Sequence, residues 1–168
     1  MDEWLARAAE RRPGHPALIH AETGQAWTYR ELAAWAEEIA TALRERGVDA
    51  GAPVGLLARR RPLTIATIWA VFQVDGVLVP LPPDGPTADR DARSERAGVE
   101  PLLDPGDGDS EMPAIRRESR EQRLDCGLAS GHPIDRTQVV LFTSGTTGDP
   151  TGVCLTGRNL GASAASTV

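Results

Sequence analysis

The sequence predicts an α/β fold in which a mostly parallel sheet is flanked by helices. Two short, almost entirely apolar segments, residues 53–58 and 77–81, are separated by an apolar helical segment at residues 63–74. Apolar runs of this length are typical of strands that are covered on both faces. Two strands joined by one helix form a βαβ unit with parallel strands and a right-handed crossover. A further apolar segment, residues 139–142, is predicted to be a strand as well.

The first fifty residues are predicted to form a short helix, two short strands and a longer helix. The helix covers residues 2–12, and the strands cover residues 16–20 and 26–28. The second helix begins after Thr28, which forms a capping box with Glu31 three residues later. The apolar residues at helical spacing that form its buried face are Leu32, Trp35, Ala36, Ile39, Ala40 and Leu43.

The middle of the chain is more polar. Residues 87–97 are predicted to form a polar helix and residues 99–103 a weak strand. Residues 104–112 are acidic and glycine-rich, which favours an exposed loop, and they lack the ligand series and terminal glutamate of an EF-hand calcium site. The charge-dense residues 116–123 are predicted to be a solvated face, and residues 124–137 to be irregular.

The composition is that of one soluble globular domain. The 168 residues suffice for a compact core, and 40% of them are hydrophobic, which is ordinary. No apolar run approaches the ~20 residues of a membrane span, and the N-terminal residues lack the apolar stretch of a secretory signal, so the cytoplasm is the expected location. The net charge of −6 argues against nucleic acid or an anionic membrane as the main partner. The oligomeric state is not predicted.

Several residue types that often carry chemistry show no functional pattern here. Cys126 and Cys154 belong to no CxxC pair, which favours two reduced thiols. The histidines have no ligand spacing, so no metal site is predicted. The three arginines at residues 59–61 could contact phosphate or coenzyme A, but a solvated loop is favoured. The tryptophans predicted to lie in the core are Trp4, Trp27, Trp35 and Trp69.

The clearest chemical signature is TSGTTGDPTG at residues 143–152, between the strand at 139–142 and a second apolar strand at 153–155. After that strand, Thr156 is predicted to cap a final helix that extends through Leu160. The glycines of the signature let the backbone approach a ligand, and successive N–H groups can then line one anion-binding concavity. Its hydroxyls add neutral donors, a combination that suits a polyphosphate. The residues predicted to bind it are Thr143, Ser144, Gly145, Thr146, Thr147 and Gly148.

Other interpretations of this loop are less well supported. A plain hairpin turn remains an alternative, because threonine, serine and glycine are common in turns. The loop is no Walker motif, since no lysine follows its glycines, and Ser144 lacks the GxSxG frame of a nucleophile elbow. A phosphate-binding domain of unrelated fold would place residues 143–148 at the start of a helix.

TSGTTGDPTGV resembles the signature loop of the adenylate-forming superfamily, which includes acyl-CoA synthetases, luciferases and the adenylation domains of peptide synthetases. The usual form is TSGTTGxPKGV followed by T-x-x-N-L, and residues 156–160 read TGRNL. Residues 27–48 and 51–86 resemble the family's first helix and its strand–helix–strand segment, so the likeness covers over half of the chain. Thr151 departs from the family, which usually has a lysine there to give the phosphates a point charge.

The resemblance implies an enzyme that makes an acyl-adenylate from ATP and a small-molecule carboxylic acid with Mg²⁺, then passes the acyl group to a thiol, usually coenzyme A. Residues 1–168 would be the N-terminal part of an AMP-binding domain. Catalytic residues, including those of the C-terminal lid domain, are expected beyond residue 168. Thr151 is counted with the phosphate-binding residues, and apolar surface that the later sequence normally covers is expected to be exposed.

The acid itself is not determined. The compact N-terminal region and the ending LTGRNLGASAAS resemble 2-succinylbenzoate–CoA ligases of menaquinone synthesis. Fatty acids, aryl acids or an amino acid in a peptide synthetase are alternatives. A second hypothesis is a truncated, non-catalytic remnant or nucleotide-binding module, which Thr151 and the early end of the sequence favour.

We expect the isolated 168-residue chain to catalyse no acid-dependent exchange between ATP and pyrophosphate, because the catalytic residues of the family would lie beyond it. The measurement compares exchange with and without a panel of carboxylic acids. Exchange above the acid-free control would contradict this expectation.

Overall fold

The described chain contains a six-stranded sheet flanked by helices and a two-stranded sheet near the N-terminus. The computed structural model describes residues 2–106, 112–117, 135–143 and 150–166. In chain order the elements are α1 (Asp2–Arg11), β1 (Pro16–Ile19), β2 (Ala26–Thr28), α2 (Tyr29–Glu45), β3 (Pro53–Leu57), α3 (Pro62–Gln73), β4 (Val77–Leu81), α4 (Thr87–Ala97), β5 (Pro101–Asp104), β6 (Ala114–Arg117), β7 (Thr137–Thr143), β8 (Thr151–Thr156) and α5 (Gly157–Ala165). The predicted α/β class is confirmed.

The large sheet is parallel at its centre and antiparallel at both edges. Its strand order is β6-β5-β3-β4-β7-β8. β3 pairs in parallel with β4 and β5, and β4 pairs in parallel with β7. The edge pairs, β5–β6 and β7–β8, are antiparallel. The predicted βαβ unit is β3–α3–β4, and the mostly parallel sheet is confirmed.

The helices cover the sheet on two faces, each with its own apolar core. Val54 and Leu56 of β3 belong to the core that contains α2 and α3, whereas Leu57 belongs to the core with α4. This alternation follows from the period of two along a strand. Because helices cover both faces of the sheet, its central strands are apolar along their whole length, which is the pattern from which they are predicted.

Local sequence signals set the start of α2. The Glu31 N–H donates to Thr28 Oγ1 at 3.2 Å, and the Thr28 N–H donates to Glu31 Oε2 at 2.8 Å. The backbone and side-chain hydrogen bonds from Thr28 lower the pKa of Glu31, because they favour its ionised form. The predicted capping box is confirmed, and the buried residues of the helix are Leu32, Ala36, Ile39, Ala40 and Leu43.

Two sequence-based predictions need correction, and one strand was not predicted. The unpredicted strand is β6, which forms at the sheet edge where its backbone pairs with β5; Arg116 of this strand is exposed, in agreement with the predicted solvated face. α5 continues to Ala165, five residues past its predicted end at Leu160. Trp4 is 41% exposed and does not lie in the core, while Trp27, Trp35 and Trp69 are half-buried.

An apolar pair is exposed on the last two strands. Leu141 of β7 and Val153 of β8 are cross-strand neighbours, 42% and 43% exposed. These two partly exposed apolar side chains lie side by side on the hairpin. No helix among the described residues is both long enough and apolar enough to cross a bilayer.

Replacing Gly55 with alanine should destabilise the fold, because the sheet and the loop after α4 approach closely there. A Cβ on Gly55 would lie 2.7 Å from Val99 Cγ1, and Val99 is fully buried. Overpacking of this kind costs about 1–3 kcal/mol. Urea unfolding measures the free energy of unfolding. The matched control is Gly14→Ala, since no atom lies within 4 Å of that position; equal stability of the two variants would contradict the expectation.

Candidate functional site

A hairpin formed by β7 and β8 carries the glycine- and hydroxyl-rich segment. Thr143, the last residue of β7, pairs with Thr151, the first residue of β8. The Thr143 hydroxyl donates to the Thr151 carbonyl at 3.4 Å, and both residues are exposed. Residues 144–149 lie outside the described residues, so the predicted roles of Ser144, Gly145, Thr146, Thr147 and Gly148 stay predictions. The strand β8 begins just after the segment, as expected if the segment links two strands and does not open a helix.

The base of the hairpin is buried in the protein. Thr137, Gln138, Val139 and Val140 of β7 are all buried, while Leu141 and Thr143 are exposed and Phe142 is half-buried. The first half of β7 thus lies in the core, and Phe142 in its second half still packs against the core that contains α4. The signature segment follows the exposed end of this strand in the sequence.

Gly152 has a packing role in the hairpin. A Cβ at this position would lie 3.2 Å from Val140 Cγ1 and 3.3 Å from the Phe142 ring. The glycine therefore lets β8 lie close against the side chains of β7. This differs from the expected role of Gly152 in relaxing the loop backbone, since the residue sits within a paired strand.

An ion pair and a capping box stabilise the open end of the hairpin, where β7 begins and β8 ends. Asp135 precedes β7 and accepts two hydrogen bonds from Arg158 of α5, at 2.8 and 3.3 Å. These contacts raise the pKa of Arg158. The Asn159 N–H donates to Thr156 Oγ1 at 3.2 Å, and the Thr156 N–H donates to Asn159 Oδ1 at 2.9 Å. The cap was predicted from sequence; the ion pair, which spans 23 residues, was not.

The hairpin lies at the edge where the parallel strands end. β3, β4, β5 and β7 run in one direction, so the segments that follow them leave the sheet at the same edge. α3 follows β3 and packs on one face of the sheet, and α4 follows β4 and packs on the other. Neighbouring parallel strands whose connections diverge in this way leave a crevice, which is where ligands bind in open α/β sheets.

Arg59 contributes to the structure at this edge. Its Nε donates to Asp104 Oδ1 at 3.0 Å, and the two side chains are 20% and 19% exposed. The prediction of a wholly solvated arginine segment is thus wrong for Arg59. Arg60 is exposed and has no hydrogen-bond or ion-pair partner among the described residues. Arg61 is the N-cap residue of α3, and Pro62 begins that helix.

Asp104 is held in its ionised form. Partial burial alone would raise its pKa, but the hydrogen bonds from the Gly106 N–H and from Arg59, together with the charges of Arg59 and Arg116, lower it. The Gly106 N–H lies 2.9 Å from Asp104 Oδ1. The Asp104 carboxylate is therefore bound by Arg59 and by the Gly106 N–H.

The described residues form no cluster of metal ligands. In the described part of the chain, no three His, Cys, Asp or Glu side chains come together as metal ligands. Cys154 is an exposed free thiol on β8, and Cys126 lies outside the described residues.

A family comparison matches nearly the whole chain, including the signature segment. Residues 5–168 match the AMP-binding enzyme family. The chain belongs to that family. The enzymes of the family are ligases, and they use ATP and Mg²⁺. The resemblance inferred from TSGTTGDPTGV is thereby confirmed.

Relatives of this AMP-binding chain include peptide synthetases. Tyrocidine synthase 3 of Brevibacillus parabrevis is 32% identical over 95% of this chain, and a probable nonribosomal peptide synthetase, CymA, of Salinispora arenicola is 30% identical over 100% of it. The chain spans only 2% of the length of each. The likeness therefore concerns a small part of two very long proteins.

Solved structures show the same fold. O-succinylbenzoate coenzyme A synthetase from Bacillus subtilis, in complex with AMP, is 27% identical with a TM-score of 0.76, over 98% of this chain and 44% of that one. The N-terminal subdomain of NpsA from Klebsiella oxytoca is 23% identical with a TM-score of 0.73, over 94% of this chain and 42% of that one. The AMP-binding chain thus spans less than half of these structures.

Asp104→Asn should destabilise the protein in a pH-dependent manner. Because the folded protein lowers the pKa of Asp104, the stability that its ionised form contributes is fully present above the unfolded value of about 4 and is lost as the pH falls through the folded value. Near neutral pH we expect a loss of about 1.5–3 kcal/mol, which shrinks in acid. Urea unfolding across this pH range measures it. Asp84→Asn, at an exposed loop position, is the control and should change stability by less than about 0.5 kcal/mol. A loss that does not vary with pH would count against the assignment.

Proposed function

We propose that this chain is the phosphate-binding part of an enzyme that activates a carboxylic acid with ATP through an acyl-adenylate. The observation that carries the proposal is the pairing of Thr143 with Thr151, which fixes both ends of the segment TSGTTGDPT on one exposed hairpin. Two anchored ends restrict the segment, so its amide and hydroxyl donors can be organised in advance of the ligand. Such preorganised donors stabilise developing negative charge more effectively than water does.

In the proposed reaction the carboxylate oxygen forms a bond to the α-phosphorus of ATP, and the bond from that phosphorus to pyrophosphate breaks. Negative charge grows on the departing pyrophosphate. The residues proposed to bind its oxygens are Thr143, Ser144, Gly145, Thr146, Thr147, Gly148 and Thr151. Mg²⁺, when bound to the nucleotide, neutralises part of the same charge. The hairpin thereby holds the leaving group while the acid approaches from the opposite side.

Arg60 is proposed to supply part of the positive charge that Thr151 lacks. Arg60 follows β3, and β4 separates β3 from β7 in the sheet. Two strand spacings amount to about 10 Å, a gap that an arginine and a bound polyphosphate can bridge together. Arg59 forms an ion pair with Asp104, so its positive charge is already balanced within the protein.

Two classes of acid are supported by different relatives. The likeness to O-succinylbenzoate coenzyme A synthetase supports an aryl-substituted acid that is passed to coenzyme A, with 2-succinylbenzoate as one candidate. The likeness to peptide synthetases supports an amino acid that is activated without coenzyme A. Pyrophosphate exchange by a longer polypeptide containing this segment, tested with both classes of acid, separates them; dependence of product formation on coenzyme A supports the first.

A non-catalytic remnant remains the competing proposal, and Thr151 in place of lysine is the observation that favours it. Sequencing the gene beyond the codon for Val168 distinguishes the two. A reading frame that continues into the later motifs of the family supports the enzyme, whereas an immediate stop codon supports the remnant.

Thr151→Lys should tighten binding of pyrophosphate to the chain. One added charge near the phosphates is worth about 1 kcal/mol at the protein surface, which corresponds to about fivefold in affinity, and the gain should decrease with added salt. Titration of the chain with pyrophosphate, followed by phosphorus NMR line broadening, measures it. Cys154→Lys adds the same charge to the same exposed strand but on its other face, and it should leave the affinity unchanged. Equal effects of the two substitutions would refute the placement of the phosphate site.

A further inference from the structure

A cleft separate from the hairpin lies between the first helix and the start of the second. Its volume is about 400 Å³, and it opens to solvent. We call it the α1 cleft. Its lining residues are Trp4, Arg7, Ala8, Arg11, Arg12 and Tyr29.

Helical spacing builds one wall of the α1 cleft. Trp4, Ala8 and Arg11 follow one another at intervals of four and three residues, so they lie along one face of α1. Seven residues of helix span about 10 Å. The wall is therefore a row with an indole at one end and guanidinium groups at the other.

Backbone hydrogen bonds hold the opposite wall in place. The Tyr29 N–H donates to the His15 carbonyl at 3.0 Å, and the Arg30 N–H donates to the Pro13 carbonyl at 3.2 Å. These bonds tie the first turn of α2 to the chain that follows α1. At the other end, Trp4 is braced by α5, since a Cβ at Gly161 would lie 3.3 Å from the Trp4 ring. The cleft is thus preformed, although Trp4 remains 41% exposed.

The charges that line the cleft are all positive. Arg7 forms an exposed ion pair with Glu3 on the same helix. Arg11 and Arg12 are exposed and have no side-chain partner within the part of the chain that the structure describes. Among the side chains that the structure describes, none of those lining the cleft is acidic, in a protein whose net charge is −6. Two guanidinium groups are therefore available for an external anion.

We propose that the α1 cleft binds an acidic peptide segment of a partner protein, with an apolar side chain against Trp4 and carboxylates on Arg11 and Arg12. Arginine binds carboxylates through two parallel hydrogen bonds, and tryptophan, tyrosine and arginine are the residues that carry most binding energy at protein interfaces. A wall of about 10 Å matches three residues of extended peptide at about 3.3 Å each. A small molecule would require a more enclosed pocket than one open to solvent.

A fluorescein-labelled peptide of sequence EDELFED is the probe, and fluorescence anisotropy with the full 168-residue chain measures its affinity. We expect Arg11→Glu to weaken binding at least tenfold. Arg96→Glu is the matched control, because Arg96 is also an exposed arginine in the last turn of a helix and lies on α4; it should leave the affinity unchanged. Binding should weaken as salt is added, and the basic peptide KRKLFKR should not bind.

Three results would overturn the proposal. One is no binding of the acidic peptide by the unaltered chain. Another is equal loss in the Arg11→Glu and Arg96→Glu variants, which would indicate a general effect of net charge. The third is full displacement of the peptide by pyrophosphate at the concentration that fills the hairpin site, which would indicate a single shared anion site. If circular dichroism shows that Arg11→Glu does not fold, Arg12→Gln and Trp4→Phe replace it, and each should weaken binding several-fold.

Discussion

The pairing of β7 with β4 is the contact on which the candidate site depends. β4 is buried between two apolar cores, and its parallel pairing to β7 carries that rigidity into the hairpin. β7 is buried over its first four residues and becomes exposed at Leu141 and Thr143, so one strand connects the core to the surface. A loop that must hold a polyphosphate without a cation of its own requires a fixed base, because its donors are effective only when they need not be reorganised.

Among the described residues, few charged side chains lie near the candidate site. Arg59 is neutralised by Asp104 and fixes the ends of β3 and β5, whereas Arg60 remains exposed next to it. Thr151 faces Thr143 across the hairpin, at the position where the family usually carries a lysine. In the proposed site the positive charge therefore comes from Arg60, away from the hairpin, and the hairpin itself contributes neutral donors. Such a site is expected to be less sensitive to salt than one built on a lysine.

The α1 cleft and the hairpin share α5 as a neighbour. Trp4 packs against Gly161 of α5, and the capping box of Thr156 and Asn159 joins the start of the same helix to β8. The Asp135–Arg158 ion pair connects that helix to the beginning of β7. A partner bound in the cleft would therefore lie one helix away from the β7–β8 hairpin. Through α5, the structure connects two surfaces whose residues lie at opposite ends of the sequence.

The features that the sequence alone predicted are those set by residues close together in the chain. The capping boxes at Thr28 and Thr156, the apolar strands and the loop TSGTTGDPTG were all predictable, because each depends on neighbours in the chain. Only the tertiary structure decided the strand order, the edge strand β6, the exposure of Trp4 and the pairing of Arg59 with Asp104, which lies 45 residues away. Contacts between distant segments depend on how the helices pack on the sheet, and no local pattern of residues encodes that packing.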